Sequence, residues 1–337
     1  MSETDDLGGV YHITDREIRD RELTGTIRPT DRVVIPAKHE GATIQRTLEY
    51  LLRLGFHPRQ IIVLVNGSTA VDGEPDDTAD KAMTVDSDLQ VLHQSDLLDA
   101  ALVARLTCDY KINENRLHGK GTAMFAALVA LHRAGTSLDA RIIFLDADIQ
   151  NSFEVDPVGR LLIGADFFPH EVKLVKLASL GRDNAGIHAF LSTLVGDYMK
   201  IGALRWPLCG QVVVRWEDLR QMRLAGGYAV EMAMMMDLVE RAHSPVVFGE
   251  VEIGAVLIDK HNTDRVHTRM YAQIMWFAGQ VQMMGYGLGR LTSNLMAHIN
   301  AQDPFQIWVP VKESGLGSNE LEDRYPDAIF PSIAELF

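Results

Sequence analysis

Apolar residues in this chain recur with two alternating periods. The segments Arg32-Val33-Val34-Ile35-Pro36, Ile61-Ile62-Val63-Leu64-Val65 and Ile142-Ile143-Phe144-Leu145 are short apolar runs rich in β-branched residues. Such runs predict strands buried on both faces. Leu89-Gln90-Val91-Leu92 reads as another. Between them Ile44, Leu48, Leu51 and Leu52 recur at helical spacing, as do Met124, Ala127, Leu128 and Leu131 behind Gly119-Lys120-Gly121. Strands of this kind alternating with amphipathic helices predict an α/β chain with a mostly parallel sheet and helices on both faces.

The second half is less regular. Val172–Ala178, Val212–Val214 and one or two pieces of Val246–Ile258 read as strands. Residues 184–203 and the Met-rich stretch Tyr228–Ala242 read as helices. Val266, Met270, Ile274, Phe277, Val281 and Met284 mark a long amphipathic helix. The predicted organisation is a charge-rich N-terminal arm or short exposed helix at 1–30, a sheet-forming half at 31–150, a mixed half at 151–301 and an extended, polar tail at 302–337.

In an open parallel sheet, ligands sit beyond the carboxyl ends of the strands. Ala37 to Glu40, Asn66, Asp146 and Asp148 all fall at such ends. Asp146-Ala147-Asp148 is the most telling of these. Two carboxylates directly after a buried strand need a positive partner, because an unpaired charge is costly to bury. A hard cation with oxygen ligands, Mg²⁺ or Mn²⁺, suits them and is often shared with substrate phosphates. The structural alternative is that Asp146 starts a turn and Asp148 caps a helix.

Gly119-Lys120-Gly121 opens a helix with glycines that let backbone approach a ligand, at a terminus that favours phosphate. It matches neither the Walker pattern nor G-x-G-x-x-G. Lys38 and Glu40 sit in a loop that could meet a nucleotide or simply face solvent. Glu231, inside Val230-Glu231-Met232-Ala233-Met234-Met235-Met236, is a carboxylate in an apolar segment and so calls for a partner or a function. His261 follows a predicted strand and could ligate a borderline metal.

Composition narrows the field. The chain has 337 residues, 47% hydrophobic and 23% charged, which suits a globular protein with a sizeable core. A formal net charge of −14 disfavours nucleic acid and anionic membranes as partners. Neither a spanning apolar run nor a secretory signal is visible, and the two cysteines, Cys108 and Cys209, read as reduced thiols. The expected location is the cytoplasm.

Taken in order, Ile35-Pro36-Ala37-Lys38-His39-Glu40, Gly119-Lys120-Gly121, Asp146-Ala147-Asp148, Pro207-Leu208-Cys209-Gly210-Gln211, Gly227-Tyr228-Ala229-Val230-Glu231 and Lys260-His261-Asn262 resemble the motifs of GT-A fold nucleotide-sugar glycosyltransferases. The nearest likeness is to the retaining glucosyl-3-phosphoglycerate synthases, with mannosylglycerate synthase as a related comparison. It covers roughly residues 32–285.

The resemblance implies a metal-dependent hexosyltransferase. The 31–150 half would bind a UDP- or GDP-hexose and the 151–301 half a small, phosphoglycerate-like acceptor, in a homodimer. Pro36, Ala37, Glu40, Asn66, Ser68, Gly119, Lys120, Asp146, Ala147 and Asp148 would line the donor site. Asp148 and His261 would ligate Mg²⁺ or Mn²⁺. Glu231, Lys120 and Asp146 would serve the transfer. The chain departs from the pattern at Cys209, where the family has glycine, at Gln211, where it has glutamate, and at Asp259, where Ile258-Asp259-Lys260 lacks the family's arginine. A nucleotidyltransferase, or a non-catalytic nucleotide-sugar-binding protein of the same fold, are the rival readings.

Overall fold

The computed structural model describes residues 10–66, 76–114, 117–179, 204–206, 208–241, 248–258, 273 and 329–337. Among them, ten strands form two sheets: β1 (Val10–Ile13), β2 (Arg32–Ala37), β3 (Ile61–Val65), β4 (Gln90–His93), β5 (Arg141–Phe144), β6 (Leu174–Ala178), β7 (Val212–Arg215), β8 (Leu224–Ala225), β9 (Phe248–Glu252) and β10 (Ile329–Phe330). The main sheet has the order β1-β9-β6-β7-β5-β2-β3-β4, and β8 and β10 form a separate pair.

The main sheet is parallel except at β7, which runs antiparallel to both β5 and β6. That reversal matters. It brings the residues just before β7, Leu208 to Gln211, to the same edge as the carboxyl ends of the parallel strands.

The alternation of the strands sorts the core into two layers. On one face Val34, Phe144, Leu174 and Val212 pack with the helices Lys120–Arg133 and Val230–Arg241. On the other, Val33, Ile35, Ile143 and Val175 pack with the helices Ile44–Leu54 and Pro157–Phe167. The predicted elements of the first half are present, with β4 and β5 each displaced by one residue. Among the described residues of Val246–Ile258 there is one strand, β9. The 184–203 stretch lies outside the described residues, as does the Val266–Met284 helix apart from Gln273.

Two terminal segments are more integrated than their polarity suggests. Val10–Ile13 is an edge strand paired in parallel with β9. The helix behind it, Asp15–Asp20, starts with a Thr14–Glu17 capping box and buries Ile18. At the other end residues 329–337 are not an extended tail. β10 pairs antiparallel with β8, and the helix Ile333–Leu336 begins with a Ser332–Glu335 capping box. Phe330, Ile333 and Leu336 are buried against the Lys120–Arg133 helix and its neighbours. This explains why that helix buries residues all round rather than on a single stripe.

Strand β5 lies on one side of β2, and β3 and β4 lie on the other, so the order in which the parallel strands are laid down reverses at β2. The last rung between β2 and β5 is Leu145 N–H donating to Val34 O at 3.1 Å. Two residues further along, Pro36 has no N–H with which to continue the ladder. The β2–β5 ladder ends there, at the switch point of the sheet, where open α/β sheets have their ligand crevice.

Candidate functional site

Four segments meet at this crevice. The turn after β5 carries Asp146 and Asp148. The start of the Lys120–Arg133 helix carries Lys120. The loop before β7 carries Cys209 and Gln211. The Val230–Arg241 helix carries Glu231 in its first turn.

Lys120 is the hub. Its Nζ lies 2.7 Å from Asp146 Oδ1 and 2.9 Å from Glu231 Oε1. Burial works against its charge, but the two carboxylates outweigh it and raise its pKa well above the usual lysine value. Lys120 is therefore a fixed cation. Close backbone approach makes this possible. Gly119 has φ +86°, and a Cβ on Gly121 would stand 2.0 Å from Ala225 O. Only glycine lets the helix N-terminus nest against the strand that leads to Glu231.

Asp146 is engaged on both oxygens. Oδ1 receives Lys120, and Oδ2 accepts from Gln211 Nε2 at 2.5 Å. Gln211 is fixed in turn by Cys209, whose Sγ donates to Gln211 Oε1 at 3.0 Å. Asp148 differs. Burial, then the charges of Asp146 and Glu40, push its pKa up to about 6 against a lowering by Lys120. It does not cap a helix, since the following helix, Ser152–Val155, has Asn151 at its N-cap.

The other side of the crevice is built by the loop after β2. His39 adopts φ +55°. Its N–H donates to Asp76 Oδ2 at 3.1 Å, and the Glu40 N–H donates to Thr78 Oγ1 at 2.9 Å. Thr43 Oγ1 donates to Glu40 Oε2 at 3.0 Å. At the end of β3, the Asn66 N–H extends the ladder to Ala37 O. Asn66 Oδ1 and His39 Nε2 are buried without a hydrogen-bond partner. Orphaned polar atoms around a crevice mark places where a ligand can complete the bonding.

No protein-family model matches the chain, and no curated protein matches it by sequence. Solved structures do match. Glucosyl-3-phosphoglycerate synthase from Mycobacterium tuberculosis with Mn²⁺, UDP-glucose and phosphoglyceric acid matches at 22% identity and TM-score 0.60, over 91% of this chain and 90% of that one. The same enzyme with Mn²⁺, UDP-glucose and glycerol 3-phosphate matches at 25% identity and TM-score 0.55, over 73% and 77%. Its complex with Mg²⁺ and UDP matches at 23% identity and TM-score 0.57, over 80% and 85%. This chain has the GT-A fold. The resemblance read from the motifs and the likeness in structure point to the same group of proteins.

The sequence-predicted residues fall into place unevenly. Glu40, Lys120, Asp146, Asp148 and Glu231 come together. Pro36 and Ala37 are part of β2, and Gly119 caps the Lys120 helix. Ala147 is buried, its carbonyl accepting from Thr47 Oγ1 at 3.1 Å. Ser68 and His261 lie outside the described residues. Motif reading treated Gln211 only as a departure and overlooked Gln273. Gln273 Oε1 accepts the Tyr228 N–H at 2.7 Å and lies against Gly227. A glutamine in an amphipathic stripe carries no signal of such a contact.

The site fits a divalent cation. Asp148 is a carboxylate whose ionised form burial and the charges of Asp146 and Glu40 disfavour, and a bound cation would offset this. Among the described residues there is no group of three or more His, Cys, Asp or Glu side chains that could hold a metal ion by itself. A cation at Asp148 would therefore keep open positions, as Mg²⁺ does when phosphate oxygens share it.

The raised pKa of Asp148 carries a stability consequence in metal-free protein. Between about pH 4 and pH 6 the folded state holds a proton that the unfolded state releases, so this group costs stability once ionised at pH 7. Asp148→Asn should raise the melting temperature at pH 7 by several degrees in the presence of a chelator. The gain should fade as pH falls towards 4. A melting temperature at pH 7 no higher than wild type would contradict this.

Proposed function

We propose that this chain is a metal-dependent glycosyltransferase that moves a hexose from a nucleotide-diphosphate sugar, UDP- or GDP-linked, to a small phosphoglycerate-like acceptor with retention of configuration. The observation that supports it most is the Lys120–Asp146–Glu231 cluster with Asp148 beside it, at the crevice between β2 and β5. This is where an open α/β sheet receives its ligand.

Each residue has a role suited to its surroundings. Glu40, Asn66 and Ser68 would hold the nucleoside. Asp148, with His261, would hold Mg²⁺ or Mn²⁺, which as a Lewis acid neutralises the departing diphosphate. Lys120 adds a permanent positive charge beside that leaving group, at the end of a helix whose dipole also favours phosphate. Asp146, locked by Lys120 and Gln211, presents its carboxylate to ribose or sugar hydroxyls. Glu231 is ion-paired to Lys120, which suits it to orienting the sugar or acceptor rather than attacking the anomeric carbon. Retention then follows from attack on the leaving group's own face. The homodimer and the acceptor are further parts of the same reading.

The altered loop supports an enzyme over a vestigial binding protein. Cys209 and Gln211 do not leave a gap where they depart from the family pattern. They form a bonded chain that ends on Asp146. The test is turnover of UDP-, GDP- and ADP-glucose with Mn²⁺, with and without 3-phosphoglycerate. Hexose transfer from one of these donors is the expected result. Tight metal-dependent binding without turnover would favour the non-catalytic reading.

A further inference from the structure

Beyond β9 a strap of chain runs along the carboxyl edge of the sheet and is fastened on both sides. β9 ends at Glu252, and Gly254, with φ +65°, turns the chain beside Asp15. Ala255 to Ile258 follow. Leu257 is buried in the core layer that also holds Ala147 and Ile149, while Val256 and Ile258 are exposed. On one side the strap is held by Ser179, just past β6. Its Oγ donates to Ala255 O at 3.2 Å and accepts the Leu257 N–H at 3.0 Å.

The other side is fastened to the turn that carries Asp146 and Asp148. The Gln150 N–H donates to Ile258 O at 2.7 Å. Asn151 makes the other two bonds. Its Nδ2 donates to Val256 O, and its Oδ1 accepts the Ile258 N–H, both at 2.9 Å. One side-chain amide thus pairs with a backbone carbonyl and a backbone N–H of the same stretch, as a neighbouring strand would. Its position invites a different use. Asn151 is the N-cap of the helix Ser152–Val155, where asparagine ordinarily accepts from the first helical N–H groups, yet its side chain makes no capping bond.

This seam lies between the two cation ligands of the proposed site. Asp148 stands three residues before Asn151, and His261 stands three residues after Ile258 in the chain. Three residues span at most about 11 Å. We propose that Asn151 is a positioning residue that registers the strap on the Asp146–Asp148 turn, so that the ligand beyond Ile258 is delivered to the cation at Asp148. The proposal rests on the cation reading given above. Groups that hold a metal ligand in place without touching the metal commonly govern its affinity by about 10–100-fold. Asn151 does this through the backbone of the strap.

The test titrates UDP, with and without Mn²⁺, into the full chain as wild type, Asn151→Ala, His261→Ala and the double variant. The ratio of the two affinities measures what the cation contributes. Asn151→Ala should lower that ratio at least about tenfold and leave the metal-free affinity within about threefold of wild type. In the His261→Ala background the same substitution should cost less than about threefold, because both changes break one line of contacts. Asn151→Ser keeps a good N-cap residue but is too short to make both strap bonds. It should lose the Mn²⁺ contribution as Asn151→Ala does, and it carries the test if Asn151→Ala does not fold. A wild-type ratio in Asn151→Ala would overturn the proposal, as would rescue of the ratio by serine or a loss that adds in full to that of His261→Ala. If wild type gains nothing from Mn²⁺, the cation reading falls and the proposal with it. A wild-type gain that Asn151→Ala retains sinks the proposal alone.

Discussion

Asp148→Ala should weaken the Mn²⁺-supported binding of UDP at least about a hundredfold and leave the fold intact. The two acids of the D-x-D turn are not equivalent. Asp146 is locked at both oxygens, by Lys120 and by Gln211. Asp148 is the one whose charge burial and its acidic neighbours disfavour, so a divalent cation offers it the largest gain. Removing it would take away the ligand proposed for that end of the site. It also relieves an unfavourable charge, so the metal-free variant should be no less stable than wild type. Titration calorimetry with UDP, with and without Mn²⁺, measures the effect. An unchanged affinity in Mn²⁺ would show that Asp148 holds no metal.

Phe330→Ala should cost about 3–5 kcal/mol, the usual range for a buried phenylalanine, and lower the melting temperature by roughly 10 °C. Phe330 is fully buried and stacks on Phe125, with ring centroids 4.4 Å apart and 9° between planes. Phe125 belongs to the Lys120 helix. β10, which carries Phe330, pairs with β8, and β8 leads directly into the Gly226–Glu231 segment. The variant should therefore lose transfer activity as well as stability. Phe337→Ala is the control, since Phe337 is exposed and, among the described residues, stacks on His132 alone. Equal stability of Phe330→Ala and wild type would contradict the packing account.

These two predictions differ in how much of their basis could be read from the sequence. Asp148 was legible because Ile142 to Leu145 is a continuous buried run, and a carboxylate directly after such a run must lie at the ligand edge of a parallel sheet. The same logic located Glu40 and Asn66, whereas Lys120 was legible from the glycines at the start of its helix. Phe330 was not legible. A two-residue strand and a single helical turn are too short to show a period, and the surrounding polar, proline-containing composition reads as a tail. β1 escaped for a related reason, since only one of its four residues is buried.

The partners of Asp146 were hidden by topology rather than by length. Gln211 reaches the crevice because β7 is reversed, and no local pattern in Val212-Val213-Val214 reports strand direction. Asn151 was hidden by its type. An asparagine directly before a short helix reads as its cap, and only the bonds to Val256 and Ile258 show its side chain used elsewhere. Site residues at the ends of strong local elements are visible in one sequence. Those placed by long-range pairing are not.

The central claim is a cation-dependent sugar-nucleotide site at the β2–β5 crevice that carries out transfer. The most direct test is to follow UDP-glucose in the presence of the purified chain, Mn²⁺ and 3-phosphoglycerate, and to measure released UDP together with the glucosylated product. The account predicts stoichiometric formation of both, abolished by a chelator and restored by added Mn²⁺ or Mg²⁺. Absence of both UDP release and product, with no Mn²⁺-dependent binding of UDP-, GDP- or ADP-glucose by calorimetry, would contradict it.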